Sequence, residues 1–441
     1  MHHRRTTAPA PGPGPAPATA PAPVAAAPPG AGAGIIVVGA GAAGLALTHE
    51  LTRTSGDAPG VLLIDPPPGP DTSPDRTWCF WGDPGGAAGD PAVPVAARWP
   101  RLLVRGRDGR AVAGDCVPPY RMIRSGDYLR ALGAELAARP GVRRLTGTVT
   151  GVRDGPRGAE VHGADAAGRP FRHRARWVFD SRPPRRLPPA RTTLWQHFRG
   201  WFVRTERDAF DPDTAELMDL RTPQPARGLS FVYVLPFDRR TALLEYTEFS
   251  AAVRDADGYR EALEHYTRRV RPLGPFTVTR TEQGAIPMTD GAFPRRAGRS
   301  VLRIGAAGGA TRPSTGYTFA AVQRQCAAVA AAHRAGRVPL PPRPYARRHR
   351  VMDAAWLRAL ATGRLDGAAF LEDLFRRHPL ERVLRFLDGR SGPADDLAIG
   401  LRAPVPPLLR SLAELPLLPR RAPAPPPGAR PYGPAYAEET V

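Results

Sequence analysis

The chain has 441 residues and a formal charge of +21, and because it holds no lysine every basic side chain but histidine is arginine. That length buries a large core and accommodates two closely joined domains. The arginines are spread among abundant Ala, Pro and Gly instead of forming one basic block with interleaved aromatics, which argues against a specific nucleic-acid partner. Cys79, Cys116 and Cys326 show neither paired nor metal-type spacing, and the histidines, His49 and His197 among them, show no ligand pattern. The expectation is a reduced, cytoplasmic protein with no bound metal. No apolar run reaches the roughly eighteen residues needed to span a bilayer.

Residues 1–33 are Ala/Pro/Gly repeats behind MHHRR, read as a disordered leader and not a signal peptide. Residues 34–184 read as the first part of a nucleotide-binding domain. The strand IIVV (Ile35–Val38) runs into GAGAAG, with glycines at Gly39, Gly41 and Gly44, and a helix-prone segment follows. Glycine lets the backbone turn tightly and approach a pyrophosphate resting on helix N-terminal amides. VLLID then ends at Asp65, where an acid takes ribose hydroxyls. RWVFDSRPP (Arg176–Pro184) predicts a returning strand with an Asp-x-Arg turn.

Residues 185–285 read as a separate β-rich domain laid on the first. WQHFRGWFVRT, LSFVYVLPF and TALLEYTEF are aromatic and β-branched runs split by turn signals. Residues 286–344 return to the nucleotide domain through SVLRIGAAGG (Ser300–Gly309), with Gly305, Gly308 and Gly309, and a helix from Tyr317 to about Ala335. Two Gly-rich turns at either end of a domain form the layout of a two-piece flavin site, and the intervening STGY run faces substrate. Residues 345–417 turn helical, with apolar stripes from Trp356 to Leu387. The Pro/Ala-rich 418–441 reads as a disordered tail.

Several segments, in order, carry a resemblance to a known family. They are GAGAAG, RTWCFWG (Arg76–Gly82), YRMIRSGDYL (Tyr120–Leu129), FDSRPP (Phe179–Pro184), QHFRGWFV (Gln196–Val203) and FDPDTAELMD (Phe210–Asp219). FVYVLPF (Phe231–Phe237), LLEYTEFS (Leu243–Ser250), EQGAIPM (Glu282–Met288) and GGATRPSTGYTF complete the set. From about Ile35 to about Leu415 the chain resembles the flavin-dependent lycopene cyclases of the bacterial and plant β-cyclase type. The resemblance implies an α/β fold of the flavin-monooxygenase and geranylgeranyl-reductase kind. In it a Rossmann-like FAD domain carries an inserted antiparallel β-sheet substrate domain, and a helical region follows.

It further implies a non-redox, proton-initiated closure of the acyclic end groups of lycopene, or a related linear carotenoid, to β-rings. FAD is required in its reduced form, with NADPH as the electron source. The acid–base group it implies is Glu245, at the first glutamate of the family's glutamate-rich strand motif; Glu282 is the second candidate. Tyr246 departs from the second acid of that motif, and neighbours on a strand face opposite ways. Asp180 and Arg182 join the glycines and Asp65 as expected cofactor contacts; Trp78, Phe80, Trp201, Tyr233, Thr315 and Tyr317 are expected to line the substrate slot. Glu248 reads as solvent-facing. A substrate insoluble in water implies peripheral attachment to the inner face of a membrane, expected at the helices between Trp356 and Leu387, and contact with other carotenoid enzymes. The competing readings are a flavin-dependent reductase or hydroxylase of an isoprenoid, and an Arg-rich binding protein retaining the fold.

Overall fold

The computed structural model describes residues 34–54, 59–67, 75–82 and 94–423, so the expected leader lies outside the described residues, as does the tail beyond 423. The chain opens with β1 (Ile35–Val38), α1 (Ala42–Thr52) and β2 (Val61–Asp65). It continues through β3 (Thr77–Phe80), β4 (Ala97–Arg105), β5 (Ala111–Arg124) and α2 (Ser125–Ala137). Next come β6 (Val142–Gly155), β7 (Gly158–Asp165), β8 (Pro170–Ala175) and β9 (Trp177–Asp180). The long strands follow: β10 (Thr193–Thr205), β11 (Thr214–Asp219), β12 (Leu229–Pro236) and β13 (Thr241–Ser250). Then come α3 (Ala256–His265), β14 (Phe276–Thr289), β15 (Val301–Arg303) and α4 (Phe319–Arg334). The C-terminal helices are α5 (Arg347–Ala361), α6 (Gly367–Arg377), α7 (Leu380–Leu387), α8 (Pro393–Gly400) and α9 (Val405–Glu414).

Among the described residues, these strands form two sheets. The first has the order β15-β9-β1-β2-β6-β7-β8. Its β15, β9, β1, β2 and β6 are parallel, as βαβ crossovers require, and β7 and β8 append an antiparallel ribbon. All four residues of β1 are buried, the mark of a parallel strand covered on both faces. Helices α1, α2 and α4 cover one face, where Leu45, Leu47, Leu132, Val322 and Val329 pack with Val37 and Leu63.

The second sheet has the order β14-β10-β13-β12-β11-β4-β5-β3. The segment 185–285 does not build it alone: β3, β4 and β5, from 77–124, supply three of its eight strands. The join is β4 running parallel to β11, a long-range pairing that leaves no local trace in sequence. Every residue of β12 is buried, because both faces of the sheet are covered. On one face α3 packs over Val232, Val234, Leu244 and Tyr246. The C-terminal helices cover the other.

Those helices correct an expectation. Trp356, Leu357, Leu371, Phe375, Val383 and Leu387 are not a membrane-facing stripe; all are buried in the core under the second sheet. Five of the nine large apolar residues exposed among the described residues lie later, between Leu397 and Leu417. The expected tail is also ordered at its start, since Arg421 exchanges backbone hydrogen bonds with Ala190 at 2.8 and 2.9 Å.

Arg312 fastens the loop before α4 to this helical layer. It is 1% exposed. Its guanidinium donates to Asp353 of α5 at 3.1 and 3.3 Å and to the Phe386 carbonyl of α7. Replacing it leaves the buried Asp353 carboxylate without its counter-charge, with only the Ser314 hydroxyl still donating to it at 2.7 Å. Arg312→Ala is therefore expected to cost about 3–5 kcal/mol, read as a fall in denaturant midpoint; an unchanged midpoint contradicts the assignment.

Candidate functional site

One row of residues crosses the second sheet in register: Glu282 on β14, Gly200 on β10, Glu245 on β13 and Tyr233 on β12. Residues in one row share a face, so both glutamates project the same way, toward the chamber. Their backbones are two strands, about 9–10 Å, apart. They meet because position 200 carries no side chain: a Cβ there would lie 2.7 Å from Leu243 Cδ1 and 3.1 Å from Glu282 Cγ. The Glu245 and Glu282 carboxyls approach each other over this gap, an arrangement favoured when one of them keeps a proton. Burial, then the charge of Glu282, then its side chain as hydrogen-bonding partner hold the Glu245 carboxyl well above the usual range.

Glu282 sits behind Glu245 and is 6% exposed. Its Oε2 accepts from the Thr77 N–H at 3.1 Å, the Thr77 hydroxyl at 3.0 Å and Arg124 Nη1 at 3.2 Å. Its Oε1 has no N–H or hydroxyl donor in the described residues, consistent with an oxygen turned to the Glu245 proton. Arg124 is held from behind by Asp75, which accepts from its Nε and Nη2 at 3.0 and 2.7 Å. Glu282 lies on one edge strand of the sheet and Thr77 on the other. The sheet therefore curls until its two edges meet, and the Glu282 carboxylate clasps them.

The chamber so enclosed has a volume of about 790 Å³. Glu245 is lined up on its wall with Thr77, Trp78, Cys79, Tyr120, Tyr233 and Tyr317, so the accessible surface this glutamate retains opens into the cavity. The same cavity reaches Ala42, Pro183, Gly308 and Gly309 of the nucleotide side. Burial pushes the Tyr233 hydroxyl up and Tyr317 to about 12, so both stay neutral donors.

Three residues expected on the substrate wall lie off this chamber. Trp201 follows Gly200, so strand alternation turns it to the opposite face, beside Phe276. Phe80 packs against Phe319 at 5.0 Å between ring centroids, under the guanidinium of Arg121. Thr315 donates to the Leu387 carbonyl at 3.3 Å and faces a different cavity. Alternation also explains Tyr246 and Glu248. Both lie on the α3 face, where the Tyr246 hydroxyl donates to Glu248 at 2.8 Å. Glu248 is 5% exposed and paired with Arg254, so it is a buried structural acid and not solvent-facing. His197 is a satisfied core histidine between Tyr259 and Ser250, pulled down to about 4 by burial.

The nucleotide side has the features a dinucleotide needs. Gly39 adopts a φ of +94°, and a Cβ on Gly44 would lie 1.8 Å from the Gly39 carbonyl. α1 begins after Gly41 with no side-chain cap and no acid in its first turn, leaving its first amides for an anion. Asp65 accepts from the Ala40 N–H at 2.7 Å and closes the fingerprint from the end of β2. Gly305 and Gly309 adopt φ of +64° and +80° in the second turn. Gln196, on the chamber wall, keeps a buried amide oxygen without a donor in the described residues, an acceptor for the N–H of a bound group. Asp180 and Arg182 bind each other at 2.8 and 2.9 Å, and Arg182 also donates to the Val149 carbonyl.

Comparison with known proteins decides the family. The family model for lycopene cyclase protein matches residues 34–413. The chain belongs to that family. Over 138 residues it is 34% identical to the chloroplastic neoxanthin synthases of Solanum tuberosum and Solanum lycopersicum. Over 136 residues it is 29% identical to the chromoplastic capsanthin/capsorubin synthase of Capsicum annuum. Each match covers 29% of this chain and 27% of the plant protein, so it spans about a quarter of these relatives' length. A geranylgeranyl bacteriochlorophyll reductase-like protein from Thermoplasma acidophilum superposes with a TM-score of 0.63 at 14% identity. That match covers 87% of this chain and 99% of the other. HpxO of Klebsiella pneumoniae, solved with FAD and uric acid, gives 0.51 at 15% identity over 87% of this chain and 97% of its own. The fold of this family member is thus the one these flavoproteins share.

The raised Glu245 proton affinity carries a stability signature. A carboxyl held above its ordinary value of 4.5 in the folded state lends stability below that pH and loses it as pH rises toward the folded value. Glu245→Gln removes this titration and can donate an amide N–H to Glu282 Oε1. Its melting temperature is expected to match wild type near pH 4 and to exceed it increasingly toward neutral pH. Parallel melting curves across that range contradict a neutral, buried Glu245.

Proposed function

We propose that this member of the family is a lycopene β-cyclase, closing one or both acyclic end groups of lycopene to β-rings without net oxidation or reduction. The observation that carries this reading is a buried carboxyl, Glu245, set beside Glu282 in a largely apolar chamber that also reaches the glycine-rich turns of a dinucleotide fold. Protonating an alkene needs an acid that keeps its proton in a dry site and a wall that keeps water from the cation. Glu245 supplies the first; Trp78, Phe198, Tyr233 and Tyr317 build the second.

In this mechanism the Glu245 carboxyl gives its proton to the terminal double bond, leaving a tertiary cation. A neighbouring double bond attacks it and forms the ring bond. Both glutamates are then carboxylates side by side, with Arg124 behind Glu282 as the nearest clasp. Their combined charge stabilises the cation and makes the pair strongly basic. The pair then recovers a proton from the new ring, forming the ring double bond and restoring the starting state. One proton enters and one leaves, so atoms and charge balance.

FAD in its reduced form, with NADPH as the electron source, belongs to this proposal. Gly39, Gly41, Gly44, Asp65 and the turn at Gly305–Gly309 would hold it, and it would supply negative charge against the cation. The remaining features of the proposal are an apolar substrate drawn from a lipid phase, peripheral attachment to the inner face of a membrane, and contact with other carotenoid enzymes. Among the described residues no helix is long and apolar enough to cross a membrane.

Product analysis from a lycopene-accumulating host tests the reading. The wild type is expected to form β- or γ-carotene, and Glu245→Gln to lose at least about 100-fold in turnover while retaining flavin. Glu282→Gln removes the charge that helps Glu245 keep its proton, so the alkaline limb of the activity profile should move to lower pH. Untouched lycopene with folded, flavin-loaded wild type, under reducing conditions, contradicts the proposal.

A further inference from the structure

A second cavity of about 340 Å³ lies beneath the C-terminal helices. It shares Tyr233 and Tyr317 with the chamber of Glu245, so each of these side chains faces both spaces. The pair is thus a partition one side chain thick between two spaces. The deeper walls of the second cavity are Met218, Phe249, Trp356, Leu371 and Leu387. The carboxylates in its lining are paired, Asp353 with Arg312 and Asp396 with Arg348, although Asp353 Oδ2 and Trp356 Nε1 have no hydrogen-bond partner among the described residues. Most of the lining is apolar, which favours an apolar ligand.

The mouth of this cavity has its own signature. Val351, Val405 and Leu409 line it while being 47%, 40% and 57% exposed. Leu397 and Leu401, on and just after α8, are 64% and 76% exposed. With Leu417, these are six of the nine large apolar residues exposed among the described residues. Scattered surface leucines are ordinary, but exposed Val351, Val405 and Leu409 at the opening, with Leu397 and Leu401 flanking the lining residues Ile399 and Gly400, mark a site of contact with apolar material.

We propose that the second cavity binds the long unreacted arm of a linear polyene, and that these exposed residues rest on a lipid surface from which the chain enters. The inference rests on the cyclase reading. An end group held at Glu245 leaves most of the molecule to be kept from water, and the space just past Tyr233 and Tyr317 is where an apolar arm gains by burial. The tyrosine pair opens to pass the chain, so the reacting end lies in one cavity and the arm in the other. Leu397, Leu401 and Leu409 face the acyl region, so the polyene need not cross bulk water.

Gly400 allows a clean test. It lines the second cavity, and a Cβ there meets nothing within 4 Å, so Gly400→Phe adds bulk at the cavity wall without displacing the core. Binding of a full-length linear carotene to the flavin-loaded protein is read by tryptophan quenching. Turnover is compared for that carotene and for a short analogue with the same end group and a chain that ends within the first chamber. Gly400→Phe is expected to weaken full-length binding at least about tenfold, leaving melting temperature and turnover of the short analogue unchanged. Leu401→Asp, outside the cavity lining, is expected to impair co-sedimentation with phospholipid vesicles and turnover from vesicles, with turnover from detergent micelles retained. Full-length binding and turnover at wild-type levels in Gly400→Phe, or equal impairment of both substrates, overturns the proposal. Wild type that binds the full-length carotene through Gly400-sensitive contacts yet converts neither substrate contradicts the cyclase reading and leaves the binding site standing.

Discussion

The Glu282 carboxylate is the constraint on which the rest of the site depends. It takes three donors, from Thr77 and Arg124, across the two edges of one sheet. That contact turns an open sheet into an enclosing wall, and it places one glutamate directly behind another. Two adjacent carboxyls in a dry site cannot both ionise cheaply, so one must keep a proton. Glu245, buried beside that second acid, is the one held above the ordinary carboxyl range. Closure of the chamber and protonation of Glu245 are therefore two consequences of a single interaction.

Arginine suits this role. A buried carboxylate needs several directed donors, and a planar guanidinium can serve two acids at once. Arg124 does so between Glu282 and Asp75, while Arg312 joins one acid, Asp353, and the Phe386 carbonyl, tying its own loop to the helical layer. In a chain with no lysine, the excess positive charge is thus partly architectural. The nucleotide side works by the opposite device, removing side chains: at Gly39 and Gly44 the backbone approaches itself too closely for any Cβ. Gly200 shows that the same device operates in the second sheet, where an absent side chain lets two acids touch.

Local signals were legible where the physics is local. The βαβ start at Ile35–Asp65, the return at Trp177–Asp180 and the helix ending near Ala335 all follow from apolar runs and glycine punctuation. The strand bearing Glu245 was legible too, and alternation separated it from Tyr246. Applied equally to Gly200, the same alternation would have removed Trp201 from the substrate wall. What stayed hidden was non-local. Nothing in Thr77–Arg124 announces that it pairs beyond β11, and a lone glycine inside an aromatic strand says nothing until both flanking strands are known. Glu248 read as exposed because its partner Arg254 and the cover provided by α3 lie outside its own strand. The helical stripes from Trp356 to Leu387 were visible as stripes, but amphipathic periodicity does not distinguish a sheet from a membrane as the apolar partner.

The central claim is that Glu245 and Glu282 hold one proton between them at neutral pH. Infrared spectroscopy of the purified protein, comparing wild type with Glu245→Gln, reads it directly. The account predicts a protonated-carboxyl C=O band in the wild type that persists through neutral pH, shifts in deuterated water and is absent from the variant. A wild-type spectrum showing only ionised carboxylates at neutral pH, with Glu245 titrating in the ordinary range, would contradict it.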